Sequence, residues 1–411
     1  MKNIRRTVIT GMGAITPLGL SMNETWAGFC QGKSGIDTIS LFDASDLPIR
    51  IAGEIKGFDP LNFMDKRTAR RMSRTSQLAL AASRMAVDDA RIDPGAYADT
   101  FGICVGTGVG CLDKIIAGVQ SIAESQTRVE PFGVISSLGN TPSALICSQY
   151  KINGPSSTVV TACASGIQAI GEAAEQIRRG WADIMLCGGV DALVFRVSFL
   201  GFSAMGLMSC NNEEPALASR PFSVDRDGLV LSEGSAFFVL EELEHAINRK
   251  ANIVGELLGY SATTDSASLF LPDQSGEKAA LAMKQAILRS ELQPHAIQYI
   301  HAHGTATKAN DGAETRAIKS VFGPKAYTIP ISSTKSMIGH TMGASGAIGV
   351  AVGLKVINEN IIPPTINLNN PDPECDLDYV PNKARKAKVN KVLVNAFGLG
   401  GQNACLVLSE I

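Results

Sequence analysis

The stretch from Thr158 to Gly180, TVVTACASGIQAIGEAAEQIRRG, decides the fold of this chain. Its first four residues, 158–161, are all β-branched and favour a strand. The small residues ACASG then allow a tight turn, and apolar residues recur at helical spacing from Gly166 to Arg179. A buried strand that leads through a tight turn into an amphipathic helix is the building unit of α/β proteins.

The same alternation of apolar strands and helices continues along the whole chain. Strands are predicted at Arg6–Thr10, Thr100–Val105, Thr158–Thr161, Asp183–Cys187, Ala236–Leu240, Gln298–Ala302, Ile329–Ser332 and Lys391–Ala396. Helices are predicted at Arg74–Ala90, Gly166–Arg179, Glu277–Arg289, Ala313–Val321 and Ala344–Asn358. Continuously apolar strands separated by helices are typical of sheets that helices cover on both faces. The pattern predicts an α/β protein with largely parallel sheets.

The turn at Cys163 has a second copy 180 residues further along the chain. Cys163-Ala164-Ser165-Gly166 begins one helix, and Gly343-Ala344-Ser345-Gly346 begins another. A second pair of corners, ICVGT at 103–107 and HAHGT at 301–305, follows the same order. Two matches in one order indicate two copies of one α/β unit.

The boundary between the copies is predicted near the charged segment 242–253, which leads into a new strand, IVGELLGY. The N-terminal half, residues 1–250, would carry the CASG turn. The C-terminal half, residues 251–411, would carry the GASG turn and two candidate catalytic histidines.

Composition and charge exclude several classes of protein. With 45% hydrophobic and 18% charged residues, the chain is neither disordered nor fibrous. A formal net charge of −2 offers no overall field to attract nucleic acid or an anionic membrane. The nine cysteines show no CxxC spacing, which argues against a disulfide framework or a metal site. No apolar run approaches the roughly 20 residues that a spanning helix needs, and we expect a cytoplasmic protein.

Cys163 occupies a position that activates thiols. Between a strand and a helix, free backbone N–H groups and the helix dipole favour the thiolate. The alternative is a buried structural cysteine, which describes most of the other eight. Position alone leaves both interpretations open.

Two of the five histidines also lie at glycine-rich strand ends, His303 in AHGTAT and His340 in KSMIGHTMG. Because the repeat places the corners of Cys163 and His340 at equivalent positions, the three side chains could meet between the halves. A thiolate beside two imidazoles can form a thioester and stabilise an oxyanion or enolate. The alternative for each histidine is a satisfied core residue. The sequence predicts covalent catalysis by this trio.

Three glycine-rich segments lack the features of nucleotide-binding loops. GMGAITPLG at 11–19 has no third glycine at the required spacing, and GTGVG at 106–110 and GLGG at 398–401 lack the Gly-Lys-Ser/Thr of a P-loop. We interpret them as places where the backbone approaches an acyl or pantetheine chain, or supplies an oxyanion-hole amide.

A cluster of basic residues precedes the first long predicted helix: Lys66, Arg67, Arg70, Arg71 and Arg74. The spacing of the four arginines places them along one helical face. Such a stripe is either a plain solvated face or a docking site for an acidic protein, and the sequence leaves both open.

Four motifs occur in the order found in one family: TACASG (161–166), HGTAT (303–307), STKSMIGH (333–340) and NAFGLGGQN (395–403). The sequence resembles the β-ketoacyl-acyl carrier protein synthases of the I/II type over essentially its whole length. The resemblance implies the thiolase fold, an αβαβα body of five layers built from two duplicated halves. It also implies an acyltransferase that condenses an acyl-enzyme thioester with malonyl-acyl carrier protein, in fatty acid or type II polyketide or polyene biosynthesis.

The resemblance implies a role for each matching residue. Cys163 would be the acyl-accepting nucleophile. His303 and His340 would bind the malonyl thioester carbonyl and promote loss of CO2. The backbone N–H groups of Cys163 and Leu399 would form the oxyanion hole.

Three further residues would support this trio. Lys335 would hold and polarise the site, and Asp311 and Glu314 would order the lysine. The substrate-binding positions that the resemblance implies are Val109, Gly133, Leu229, Thr305, Thr307, Phe397 and Leu399.

Three positions depart from the family pattern where it usually carries bulky aromatic residues. Leu399 replaces the gate-keeping phenylalanine of FGFGGTN, Leu229 replaces one that flanks the nucleophile, and Gly133 stands where a ring often lines the acyl tunnel. Loss of three rings would widen or reshape the tunnel. We therefore expect a synthase that accepts long, rigid or polyunsaturated chains.

The resemblance implies no cofactor of the chain's own, because the 4′-phosphopantetheine arm belongs to the acyl carrier protein. That acidic partner would suit the basic stripe. The chain would form a homodimer, or a heterodimer with a subunit of the chain-length-factor kind. Two alternatives remain: a non-catalytic chain-length-factor-like subunit, which would lack the cysteine, and a degradative thiolase, which would carry a second active-site cysteine.

Overall fold

The computed structural model describes residues 5–124, 130–266, 268 and 271–411. The strands are β1 Thr7–Ile15, β2 Ile36–Thr38, β3 Ile51–Gly53, β4 Phe101–Gly106, β5 Ser156–Val159, β6 Ile184–Ala192, β7 Glu233–Glu242, β8 Gly255–Thr264, β9 Tyr299–His301, β10 Ile331–Ser332, β11 Ile361–Ile362, β12 Arg385–Lys386, β13 Lys391–Gly398 and β14 Gln402–Ser409. The helices are α1 Met22–Gln31, α2 Lys66–Arg71, α3 Arg74–Ala90, α4 Leu112–Ala123, α5 Gly133–Ser137, α6 Thr141–Tyr150, α7 Ser165–Arg178, α8 Arg196–Ala204, α9 Leu243–Asn248, α10 Glu277–Arg289, α11 Lys308–Phe322, α12 Lys335–Ile338 and α13 Ser345–Glu359.

Ten strands form one sheet in which the two halves of the chain repeat the same strand order. The first half has the order β5-β4-β6-β7-β1, and the second has β10-β9-β13-β14-β8. Antiparallel pairing of β1 with β8, from Thr7 with Leu257 to Ile9 with Gly255, joins them. The repeated order is what duplication of one α/β unit produces. The limits 1–250 and 251–411 stay a prediction, and residues 1–4 and 125–129 of that first half lie outside the described residues.

The prediction of largely parallel sheets is wrong, because the sheet is mixed. Pairs β4–β5, β4–β6, β9–β10 and β9–β13 are parallel, whereas β6–β7, β1–β7, β1–β8, β8–β14 and β13–β14 are antiparallel. Only a three-residue turn separates β13 from β14, and so short a link permits only antiparallel pairing. Apolar residues on both faces of a strand indicate that helices cover both faces of the sheet. Antiparallel strands are covered in the same way here, so the pattern does not reveal strand direction.

Five layers of structure are visible in how the side chains pack. Ile184 and Leu186 of β6 face a core shared with α3 and α6, whereas the alternating Met185 and Cys187 face a core shared with α7 and α13. The strands of the second half likewise pack against α13 on one face and against α10 and α11 on the other. Helices α7 and α13 therefore form the middle layer of an αβαβα body.

The start of α7 packs against the start of α13 at a contact that only glycine permits. A Cβ on Gly166 would lie 2.6 Å from the carbonyl oxygen of Gly343 and 2.9 Å from the nitrogen of Ala347. The residues before the two equivalent turns, Ala162 and Met342, both have left-handed φ values, of 50° and 47°. The duplicated corners therefore lie back to back at the centre of the molecule.

The basic stripe does not lie on one helical face, and this part of the prediction is wrong. Asp65 caps the short helix α2, and Ser73 accepts a hydrogen bond from the N–H of Ser76 and begins α3 as a separate helix. Arg74 consequently leaves the stripe and forms two hydrogen bonds of 2.6 Å with the buried Glu233. Arg71 is half-buried, with its guanidinium 4.3 Å from the ring centroid of Phe132.

In the described part of the chain, every helix is too short or too polar to cross a membrane.

Candidate active site

Cys163 lies on a tight turn between β5 and α7. The side chain of Ser165 holds this turn, because its hydroxyl accepts a hydrogen bond from the N–H of Thr161 (2.8 Å) and lies 2.7 Å from the carbonyl of Ala162 and 3.0 Å from that of Thr107. The sulfur consequently lies at the start of the long helix α7, with the side chain 3% exposed. This is the position that the sequence predicted for the nucleophile.

His340 is in direct contact with that sulfur. Its Nε2 lies 3.1 Å from Sγ of Cys163. The N–H of Met342 donates to Nδ1 across 3.3 Å. Because Nδ1 accepts, the proton of the neutral ring is on Nε2 and points at the sulfur.

His303 completes the predicted trio. Its ring centroid lies 5.3 Å from that of His340, nearly perpendicular to it, and 5.8 Å from the ring of Phe397. Burial, and next the Lys335 ammonium, hold the pKa of both histidines well below the ordinary value, so both rings are neutral at physiological pH. Two neutral imidazoles beside one sulfur can donate hydrogen bonds to a developing oxyanion.

The acidic pair holds the backbone around His303. The carboxylate of Glu314 accepts 2.8 Å hydrogen bonds from the N–H groups of His303 and Gly304. Asp311 accepts from the N–H of Thr305 and lies 3.7 Å from the guanidinium of Arg226. The two carboxylates therefore orient the backbone around His303 through hydrogen bonds. They act on Lys335 only through their negative charge.

Lys335 begins α12 and is 4% exposed. Burial lowers the pKa of its ammonium to about 8, and the charges of Glu314, Cys163 and Asp311 oppose that fall. The ammonium in turn favours the thiolate of Cys163. The lysine therefore acts on the sulfur and on the imidazoles through its charge.

The amide of Leu399 points at the sulfur of Cys163. Burial raises the pKa of the thiol to about 11, and the N–H of Leu399 is the largest influence in the opposite direction, followed by the Lys335 ammonium. A Cβ on Gly398 would lie 3.1 Å from the nitrogen of Cys163, so the two strand ends approach closely. Two backbone N–H groups thus converge as an oxyanion hole requires.

A pocket opens onto the reacting side chains. Together with the trio, five of the seven predicted substrate-binding residues line it: Leu229, Thr305, Thr307, Phe397 and Leu399. Its cavity volume, counted as the space open to the centre of a water molecule, is about 80 Å³. Most of its wall is apolar, as an acyl chain requires.

Two predicted substrate-binding residues do not line this pocket. Val109 packs against the apolar cluster around Cys163. Gly133 begins the surface helix α5, and a Cβ there would meet only Glu130, at 3.8 Å. Within one chain, the missing side chain of Gly133 therefore enlarges no cavity that the structure describes.

Sequence reasoning missed several residues of the site. Arg226 and Asn395 both bind the acidic pair, and Asn395 Nδ2 donates to Glu314 across 3.2 Å. The sequence does offer a signal for Asn395, because it is a polar residue within the apolar strand β13. No comparable signal marked four wall residues of the pocket: Leu207, Leu271, Pro272 and Met342.

Among the described residues, the trio is also the one group of three Cys, His, Asp or Glu side chains close enough together to hold a metal ion. Its sulfur and two nitrogens lie within 4.8 Å of one another. The buried ammonium of Lys335 repels a cation there, which fits anion stabilisation better than metal binding.

Comparison with known proteins gives matches along the whole chain. The family model "Beta-ketoacyl synthase, N-terminal domain" matches residues 5–246, and "Beta-ketoacyl synthase, C-terminal domain" matches residues 254–369. The curated protein "3-oxoacyl-[acyl-carrier-protein] synthase 2" of Synechocystis sp. is 44% identical over 99% of this chain and 98% of its own length. The protein of the same name from Coxiella burnetii is 40% identical over 99% of each chain.

Solved structures agree over the same extent. "The ishigamide ketosynthase/chain length factor" superposes with a TM-score of 0.93 at 34% identity, over 99% of each chain. A ketosynthase bound to a hexaketide, in complex with the acyl carrier protein of its type II system, superposes with a TM-score of 0.92 at 31% identity over the whole of both chains.

Proposed function

The chain belongs to the β-ketoacyl synthase family, and from that premise we propose how its site condenses an acyl thioester with malonyl-acyl carrier protein. The family and the thiolase fold predicted from the sequence are confirmed. The enzyme is an acyltransferase of the elongating, 3-oxoacyl-[acyl-carrier-protein] synthase type. The observation that carries the proposed site is the 3.1 Å contact between His340 and Cys163.

In the first half-reaction, the acyl group moves from its carrier protein to Cys163. The Cys163 sulfur gives up its proton and attacks the acyl carbonyl. The bond to the carrier's pantetheine sulfur breaks, that sulfur takes up the proton and leaves as a thiol, and a thioester on Cys163 remains. The oxygen of the tetrahedral intermediate accepts hydrogen bonds from the N–H groups of Cys163 and Leu399. The start of α7 and the ammonium of Lys335 stabilise the thiolate despite its burial.

In the second half-reaction, malonyl-carrier protein occupies the pocket that the acyl carrier has left. His303 and His340 donate hydrogen bonds to its thioester oxygen. The bond to the malonyl carboxylate breaks, CO2 leaves, and its electron pair forms an enolate that these two donors stabilise. The enolate carbon attacks the thioester on Cys163, whose sulfur leaves as thiolate, and β-ketoacyl-carrier protein is released.

The mouth of the pocket suits a pantetheine arm. The hydroxyls of Thr305 and Thr307 lie 2.9 Å apart in the wall of the pocket and present donors and acceptors to amide groups. No cofactor of the chain's own enters this scheme, because the arm arrives with its carrier protein. That expectation, and the cytoplasmic location, stay predictions.

The carrier protein docks on the part of the basic stripe that remains exposed. Lys66, Arg67 and Arg70 are exposed, whereas Arg71 and Arg74 have partners within the chain. One solved relative was captured in complex with its acyl carrier protein. An acidic partner would be steered to these three cations.

A second subunit covers the apolar surface beside β5. This strand is at the edge of the sheet. The neighbouring exposed apolar residues are Leu112, Ile115, Val119, Ile122, Phe132, Val134, Ile135, Leu138 and Val160. An open strand edge beside such a patch marks a protein interface. The partner is a second copy of this chain or a chain-length-factor-like subunit.

The site fits neither rival function, because one has no need of Cys163 and the other needs a second cysteine. A non-catalytic chain-length-factor-like subunit has no use for a cysteine held against two neutral histidines. A degradative thiolase needs a second cysteine at the site, yet the sulfur of Cys405 lies within β14, 3.3 Å from Oδ1 of Asn395. Cys163 is the one cysteine that lines the described pocket.

The acyl substrate is a long, rigid or polyunsaturated chain. Leucine stands at both pocket positions, 229 and 399, where the sequence departs from the family's aromatic residues. A leucine side chain is smaller than a phenylalanine ring and rearranges more easily, so the pocket can widen to admit such a chain.

Labelling combined with a condensation assay tests the proposal. The Cys210→Ala variant, which removes the exposed cysteine from the labelling background, should condense acyl-carrier protein with malonyl-carrier protein and release CO2. Iodoacetamide should label Cys163 and abolish condensation, and Cys163→Ala should neither be loaded nor condense. Condensation by Cys163→Ala, or equal preference for short saturated and conjugated acyl chains, would contradict the site or the substrate class, respectively.

A further inference from the structure

A buried carboxylate at the end of β6 has no part in the chemistry described so far. Asp191 is fully buried, and four donors converge on it. Oδ1 accepts from the hydroxyl of Thr107 (2.7 Å) and from the N–H of Val109 (3.3 Å). Oδ2 accepts from the N–H groups of Gly108 (2.8 Å) and Gly343 (2.6 Å).

These donors come from both halves of the chain. Thr107, Gly108 and Val109 follow β4, whereas Gly343 belongs to the turn that repeats the Cys163 turn. A Cβ on Gly343 would lie 2.4 Å from the nitrogen of Gly108 and 2.7 Å from Oδ2 of Asp191. The carboxylate therefore lies directly against the backbone of both corners, and the space beside it has no room for a side chain at position 343.

One route of hydrogen bonds leads from Asp191 to the nucleophile. Its partner Thr107 offers its own carbonyl to the hydroxyl of Ser165, at 3.0 Å. The same hydroxyl accepts from the N–H of Thr161 and so holds the turn that presents Cys163.

A second route leads from Asp191 to the histidine. The N–H of Gly343 donates to the carboxylate, and the preceding residue, Met342, directs its own N–H to Nδ1 of His340. That contact sets the tautomer in which Nε2–H faces the sulfur of Cys163. One side chain therefore holds both members of the 3.1 Å contact.

We propose that Asp191 is a positioning residue of the condensation, which aligns the His340 ring with the Cys163 sulfur by tying together the 107–109 loop and the 342–343 turn. The inference rests on the proposed function.

The negative charge of Asp191 does not help to form the thiolate of Cys163. After burial, which is the main cause of the raised thiol pKa, the Asp191 carboxylate raises the pKa of Cys163 further. A group that opposes the thiolate electrostatically contributes instead through geometry. The four hydrogen bonds that the carboxylate accepts offset the cost of its burial.

The Asp191→Asn variant removes the charge and one of the two acceptor oxygens, and the amide keeps the size of the carboxylate. Its NH2 group cannot accept, so one pair of donors loses its acceptor. We expect kcat to fall ten- to a hundred-fold and KM for malonyl-carrier protein to change less than twofold. The midpoint of iodoacetamide labelling of Cys163 should move to lower pH, because a nearby negative charge is gone.

Glu241→Gln is the matched control. Glu241 is also a fully buried carboxylate in this sheet, hydrogen-bonded to Thr10, His245 and Arg249. It pairs with Ile184, seven residues before Asp191 in β6, about 23 Å away at roughly 3.3 Å per residue. We expect a lower unfolding temperature with unchanged kcat and labelling profile.

If Asp191→Asn does not fold, Thr107→Val removes one bond to the carboxylate and keeps its charge. A three- to ten-fold fall in kcat at unchanged KM supports positioning. A kcat within twofold of the parent in the folded variant overturns the inference, even where the labelling midpoint moves, because that shift follows from the lost charge alone. Absence of condensation in the parent enzyme would instead refute the proposed function.

Discussion

Arg74 offers a test of whether a residue of the basic stripe serves docking or stability. The Arg74→Met variant keeps most of the side-chain length and removes the charge. In the comparison variant Arg67→Glu/Arg70→Glu, two exposed cations are reversed. The sequence places all three residues in one stripe, whereas the structure separates Arg74 from the other two.

The expected loss of stability follows from the partner of Arg74. Its guanidinium forms two hydrogen bonds of 2.6 Å with Glu233, whose side chain is fully buried. Removing one member of such a pair leaves an uncompensated buried charge, at a cost of about 3–5 kcal/mol. At roughly 2.1 cal/mol/K of unfolding entropy per residue, a chain of 411 residues should lose about 4–6 °C in Tm.

The assay combines thermal unfolding with steady-state kinetics against the carrier protein. Arg74→Met should lower Tm by that amount and leave KM for the carrier protein unchanged at a temperature where the variant is folded. Arg67→Glu/Arg70→Glu should leave Tm within about 1 °C, raise KM several-fold and reduce its dependence on salt.

Two results would refute this reasoning. A higher KM for the carrier protein with an unchanged Tm in Arg74→Met would mean that Arg74 serves docking and not stability. An unchanged KM in Arg67→Glu/Arg70→Glu would leave the stripe as a plain solvated face.

Two further predictions concern pH and chain length. Burial lowers the pKa of Lys335 to about 8, so the ammonium that favours the thiolate is lost as pH rises through 8. We therefore expect kcat to fall above that pH. The Lys335→Met variant should have a low kcat without this fall near pH 8. A pH–rate profile flat to pH 9.5 in the parent would contradict this. Leu399→Phe places a ring in a pocket of about 80 Å³, and kcat/KM for long acyl chains relative to short ones should fall about tenfold; an unchanged ratio across an acyl-carrier series would contradict it.

Local sequence determined much of the fold and the reacting groups. The helices at Arg74–Ala90 and Glu277–Arg289 begin and end where the apolar period and the flanking residues predicted them. Cys163 and His340 were marked by the small residues around them, because close approach of two backbones excludes a Cβ. The repeated corner also predicted that they meet, since duplicated units bring equivalent turns together.

Only the tertiary structure decided which strands run antiparallel, which arginine is buried and what holds the corners together. Apolar residues on both faces of a strand encode coverage by helices but not strand direction, which depends on how the connections cross the sheet. Charged residues such as Arg74 and Asp191 find partners 159 and 152 residues away. No local pattern announces such a partner, because the pairing exists only once distant segments have packed.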